Sequence, residues 1–228
     1  MTGRKTVFSF LAVSLFILLM CAGVPVCSGQ DVGRVQGTAA LQAGKSCEES
    51  LQEANSRYYG KKYNEALPLY DNLIEGKLFC PDELKGEAHY GRGRTKEALQ
   101  DYRGAVSDYS RALQMNSDSR KYSEALGNGH YLLGNQKERL GDLRGAMEDY
   151  QRALRYKPES SETMNGLAGL YYERGVAKER RGELKGAMEE FNTALKYRPG
   201  HLEAREAKKN LEERLRHKAS ERDGIFTF

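Results

Sequence analysis

Apolar and small residues recur along this chain with helical spacing. In residues 143–156, LRGAMEDYQRALRY, the side chains of Ala146, Met147, Tyr150, Ala153 and Leu154 share one face and charged residues take the other. This is the i, i+1, i+4, i+7, i+8 stripe of an amphipathic helix. The stripe is one of several. Residues 137–158, KERLGDLRGAMEDYQRALRYKP, return 41 positions later as KERRGELKGAMEEFNTALKYRP, identical at 13 of 22 positions. A looser copy, KEALQDYRGAVSDYSRALQM, starts at Lys96, and a weaker one, KKYNEALPLYDNLIEG, at Lys61. Ala66, Ala105, Ala146 and Ala187 are spaced by 39, 41 and 41 residues, and self-similarity at a fixed period marks a repeat array.

Each copy predicts a pair of helices: 48–59 with 64–76, 81–100 with 103–115, 119–140 with 143–156, and 160–181 with 184–197. Pro81 at a first helical position, followed by Asp82 and Glu83, is a favourable start. Pro68 lies early in a second helix, where it removes one backbone hydrogen bond and favours a kink. One hairpin cannot bury its apolar stripe alone, so neighbouring hairpins must stack. A last helix, 202–218, carries Ala204, Ala207, Leu211 and Leu215 in a narrow stripe among charged residues, the pattern of a solvating cap. No segment reads as a strand.

The ordered small and large residues make the resemblance specific. Leu133, Gly134, Gly141, Ala146, Tyr150, Ala153 and Pro158 stand at the intervals of the tetratricopeptide repeat, and Gly175, Gly182, Ala187, Phe191, Ala194 and Pro199 repeat them. The copy with Gly93, Ala105, Tyr109 and Ala112 lacks the turn glycine and the proline, and the first copy keeps Tyr63, Ala66 and Tyr70. The chain thus resembles that family. The resemblance implies an all-α, right-handed helical solenoid with a C-terminal capping helix. Its repeats would occupy 46–80, 81–117, 118–158 and 159–200, the cap 201–222 and an apolar tail 223–228. The period exceeds the common 34 residues by about seven, so first helices should be about two turns longer.

Residues 1–29 differ from the rest. Arg4 and Lys5 precede an apolar run from Val7 to Met20, then small residues around Pro25. That is the three-part plan of a secretory signal peptide, with cleavage after Gly29. The alternative is an uncleaved anchor, since Val7 to Cys27 is 21 uncharged residues, long enough to span a bilayer. Both readings put the repeats across the membrane, in a secreted, lumenal or periplasmic setting. Residues 30–45 read as a flexible leader. The net charge of +4 falls to +2 without Arg4 and Lys5. The remaining acids and bases interleave along helices, a solvated pattern and not a nucleic-acid footprint. The tail Ile225-Phe226-Thr227-Phe228 matches no retrieval signal; it would dock on the cap, dangle or serve in recognition.

Export would leave Cys47 and Cys80, which sit at neighbouring ends of the first predicted hairpin. A disulfide between them is expected; two free, partly buried thiols are the alternative. Their separation excludes a Cys-x-x-Cys redox motif, and no further ligands cluster nearby for zinc. His89 and His130 share a repeat column and read as packing histidines. No residue set matches a catalytic triad, a metal centre or a phosphate-cradling loop, so no cofactor, small-molecule substrate or enzymatic activity is expected. A protein or peptide partner is the expected ligand.

In tetratricopeptide arrays the first helices line the concave face. Mapped by repeat position, Tyr90, Tyr131 and Tyr172 form one column there, and Glu97, Glu138 and Glu179 a second. Asn55, Arg94, Asn135, Arg139 and Arg180 fall between them. Aromatic rings among mixed charges suit an extended peptide or a helix; the competing reading is that the tyrosines fill space between helices. The Lys96, Lys137, Lys178 column reads as ion-paired or solvated. Some family members clamp a chaperone's C-terminal carboxylate. Here Asn55 matches one clamp position, but Leu51 stands at its first lysine and Tyr90 and Tyr131 at later ones, so that activity does not carry over.

Overall fold

The computed structural model describes residues 46–76 and 80–225, with side chains to residue 220. The leader readings for 1–45 and the end of the apolar tail lie outside the described residues. Among the described residues the regular structure is helical: α1 Cys47–Tyr59, α2 Tyr63–Glu75, α3 Asp82–Ala98, α4 Tyr102–Met115, α5 Arg120–Arg139, α6 Leu143–Tyr156, α7 Ser161–Arg180, α8 Leu184–Tyr197 and α9 Leu202–Ile225. The ends fall within a residue or two of those expected from the pattern, with two differences. Pro81 is the N-cap of α3 and not its first helical residue. The last helix continues to Ile225, past the expected stop at 218, with no proline or following cap to end it at Lys218. Helix α2 runs through Pro68 from Tyr63 to Glu75.

The starts and turns have local causes. Ser46 and Glu49 make a reciprocal capping box on α1. Ser119 and Ser160 accept from the Tyr122 and Thr163 amides at the starts of α5 and α7. His201 holds the equivalent place before α9, its Nδ1 accepting from Ala204 N at 3.4 Å. Asp101 and Asp142 cap α4 and α6. These caps satisfy amide groups that have no intrahelical partner. Inside each hairpin one residue reverses the chain in the left-handed region: Lys61 (φ 58°), Gln100 (φ 64°), Gly141 (φ 80°) and Gly182 (φ 80°). Two of the four positions therefore hold a side chain where glycine fits best.

Packing follows the repeat. Ala66, Ala105, Ala146 and Ala187 are fully buried, as are the rings of Tyr70, Tyr109, Tyr150 and Phe191 one helical turn later. The first helices make room for these rings: a Cβ at Gly134 would lie 2.7 Å from the Tyr150 ring. Each second helix also packs on the first helix of the next hairpin, α2 on α3, α4 on α5 and α6 on α7. The stack ends where α9 lays Leu211, Ala207 and Leu215 against Ala187, Phe191 and Met188. Burying a leucine of this kind contributes about 1.5–3 kcal/mol. At the other end Cys47 Sγ is bonded to Cys80 Sγ at 2.08 Å, with the Cα atoms 5.7 Å apart. The bond ties the start of the first hairpin to the chain entering α3.

Candidate partner-binding face

The first helices α3, α5 and α7 are anchored by a column of buried carboxylates on the second helices α4, α6 and α8; α2 has Leu69 at that position. Asp108 is 2% exposed and receives Arg92 Nη2 at 2.6 Å, Lys96 Nζ at 2.7 Å and His89 Nδ1 at 3.1 Å. Asp149, fully buried, meets His130 Nδ1 at 2.9 Å. Its Oδ2 has no well-aligned hydrogen bond but lies 2.5 Å from Lys137 Nζ, so the ion pair compensates its burial. Glu190 takes Arg174 Nε at 2.8 Å and Lys178 Nζ at 2.6 Å. Burial alone pushes these carboxyls up. Hydrogen bonds and charge from the first helices outweigh it and hold all three below the usual carboxylate range. The Lys96, Lys137, Lys178 column is thus ion-paired. Sequence reading missed its partners, although Asp108, Asp149 and Glu190 are themselves 41 residues apart.

The expected site residues divide by what they touch. Tyr90, Tyr131 and Tyr172 are half-buried, and each ring packs 5.9 Å from the buried ring of its own hairpin, Tyr109, Tyr150 or Phe191. Glu97 accepts from Tyr109 Oη at 2.8 Å, and Glu138 from Tyr150 Oη at 2.5 Å. The Tyr150 hydroxyl also reaches Asn135, as Tyr70 Oη reaches Asn55 at 2.8 Å. Burial, with the carboxylate partners added, pushes the Tyr109 and Tyr150 phenols far up, so they stay protonated donors. Glu179 pairs with Arg214 of the cap. Arg94 stacks on tyrosines and has no carboxylate within ion-pair reach among the described residues. Arg139 and Arg180 are exposed, with no hydrogen-bond or ion-pair partner there.

Three of these residues share one open groove of about 640 Å³. Its lining is Leu132, Asn135, Glu138 and Arg139 of α5, Glu173 of α7, and Tyr102 and Leu143 from the starts of α4 and α6. It therefore spans three consecutive hairpins. Leu132 and Leu143 come from positions that the amphipathic pattern assigned to no core, and Tyr102 and Glu173 were not anticipated as site residues. A shared repeat position, Tyr102 with Leu143 and Leu132 with Glu173, is the signal that would have found them.

Stacked helical hairpins with a capping helix define a solenoid, a class that presents an extended surface to other molecules. A family model for the tetratricopeptide repeat matches residues 51–119 and 131–201. The chain belongs to the tetratricopeptide repeat family, whose fold supports protein–protein interaction. No curated protein matches it. Solved structures similar to it include a tetratricopeptide repeat protein of Bacteroides fragilis (14% identity, 76% of this chain and 85% of that one, TM-score 0.48). Another is a tetratricopeptide protein of Thermus thermophilus (16%, 73% and 98%, TM-score 0.36). A third is the Hsp90 co-chaperone Cns1 of Saccharomyces cerevisiae (20%, 64% and 45%, TM-score 0.41). At these identities and TM-scores they add no argument to the family match.

Proposed function

We propose that the chain is a non-enzymatic scaffold that takes a peptide or helix of a partner protein on its first-helix face, in an extracytoplasmic compartment. The groove over α5 carries the reading. It combines apolar Leu132, Leu143 and Tyr102 with the polar Asn135, Glu138 and Glu173 and the unpartnered Arg139. A concave site with an apolar lining and a few oriented polar groups is the usual form of a ligand groove, and exposed arginine and tyrosine are the residues in which interface energy concentrates. The compartment reading rests on the leader pattern of residues 1–29 and on the Cys47–Cys80 pair, since such bonds persist where thiols are oxidised.

The test is affinity capture with the full chain from the exported fraction, followed by titration of the identified partner. Arg139→Ala should weaken binding by roughly 5- to 150-fold, the range of an interface hot spot, and Lys208→Ala on the cap should not. Circular dichroism should match the parent in both. If Arg139→Ala and Leu143→Ala bind as the parent does while removal of residues 225–228 abolishes binding, the apolar tail is the site. Intact mass of the exported protein should show residues 1–29 removed and no free thiol at Cys47 or Cys80. Retention of the leader would favour the alternative reading, a membrane-anchored chaperone adaptor or complex-assembly factor facing the same compartment.

A further inference from the structure

Arg94 is held differently from the half-buried cations that anchor the first helices. Arg92, Lys96, Lys137 and Lys178 each reach a buried carboxylate. The Arg94 guanidinium instead lies 4.3 Å from the centre of the Tyr58 ring, 5.5 Å from Tyr59 and 5.6 Å from Tyr90. Its Nη1 donates to Tyr59 Oη at a long 3.5 Å. The cluster joins two hairpins: Tyr58 and Tyr59 end α1, and Tyr90 and Arg94 belong to α3. Acids that the repeat brings to this face are already engaged, Glu97 by the Tyr109 hydroxyl and Glu87 by Lys121 and Tyr122. Lys121, which lies 4.7 Å over the Tyr90 ring, is thereby neutralised.

Burial works against the Arg94 charge, and what supports it is tyrosine. Aromatic faces attract a guanidinium but use none of its donors. A guanidinium has five donors in a planar fork, and here one long bond occupies one of them. Contact with the Tyr58 face, 4.3 Å from its centre, holds the guanidinium in place and leaves donors of its fork for a planar, bidentate acceptor. Tyr59 is 69% exposed and adds a phenol beside them. One cation with no ion-pair partner among the described residues matches one negative charge brought from outside.

We infer that Arg94, caged by Tyr58, Tyr59 and Tyr90, recognises the side-chain carboxylate of an acidic segment in a partner protein. The inference rests on the reading of the first-helix face as the binding face and names the chemistry of the partner there.

The probe is a library of random dodecamers displayed with their C-termini fused, so that no free chain end is present. It is selected on the full chain and on the full-length Arg94→Met variant, whose stem still covers Tyr58. Peptides selected on the parent should be enriched in Asp and Glu over the starting library, and that enrichment should vanish on Arg94→Met. An individual acidic peptide should lose about tenfold or more in affinity on that variant, as expected for a charge-assisted bidentate pair. Tyr59→Ser, which alters a largely exposed side chain, is the second variant if Arg94→Met is misfolded by circular dichroism, and it too should weaken the acidic peptides. Equal acidic enrichment on the variants overturns the inference. Binders without acidic enrichment, or acidic recognition only when the library ends in a free carboxylate, also overturn it while leaving the scaffold reading intact. A failure to select any binder on the parent overturns both.

Discussion

Gln100 offers a measurement of backbone strain with little interference from packing. It reverses the chain between α3 and α4 at φ 64°, in the place where Gly141 (φ 80°) joins α5 to α6. An L-residue in the left-handed region costs about 1–2 kcal/mol. Glycine removes that strain but adds about 0.5–1 kcal/mol of unfolded-chain entropy. Gln100→Gly should therefore stabilise the protein by a net ~0.5–1 kcal/mol, which for a chain of this size is a rise of roughly 1–4 °C in Tm. The reverse substitution is equally clean, because a Cβ at Gly141 meets nothing within 4 Å. Gly141→Ala should lose about the same amount through the backbone alone. Thermal and urea unfolding of both variants, checked by hydrogen exchange in α3–α4 and α5–α6, measures the pair. A destabilised Gln100→Gly, or a Gly141→Ala as stable as the parent, would refute the strain argument.

Other expectations follow from the buried charges and the disulfide. Asp149→Ala leaves Lys137 and His130 without their buried partner and should cost about 3–5 kcal/mol in urea unfolding; a loss under ~1 kcal/mol would mean that the carboxylate is dispensable. Because Asp108, Asp149 and Glu190 titrate below their ordinary values, their contribution is full above about pH 4 and is lost as pH falls through the lowered folded-state values. Stability should accordingly fall steeply with acid below about pH 4, and the Asp108→Asn, Asp149→Asn double variant should show a shallower decline. Reducing Cys47–Cys80 opens a link between residues 33 apart, worth about 3–4 kcal/mol of chain entropy. Hydrogen exchange should then quicken in α1 and α2 before α6, and uniform quickening would show that the first hairpin does not open separately.

The helices and their stacking were legible because alanine, glycine and aromatic residues recur at fixed intervals, and each interval has one packing role. Gly134 and Tyr150 illustrate this, since the ring fills the space that the glycine leaves open. The buried carboxylates were hidden because Asp108 and Asp149 sit in second helices otherwise lined with exposed charges, and burial of an acid depends on partners supplied by another helix. Their spacing matches that of His89 and His130, so the covariation within the chain was visible once both columns were compared. The face was legible only as a set of positions. The columns do not distinguish Glu138, bound to its own Tyr150, from Arg139, which reaches no carboxylate among the described residues; one residue of rotation on α5 separates them.

The central claim is that the first-helix face binds the partner, and hydrogen–deuterium exchange of the full chain with and without the captured partner tests it most directly. Binding should slow exchange in α3 and α5, over 90–98 and 131–139, with α9 unchanged. Protection confined to Leu202–Ile225, with α5 exchanging as in the free protein, would contradict it.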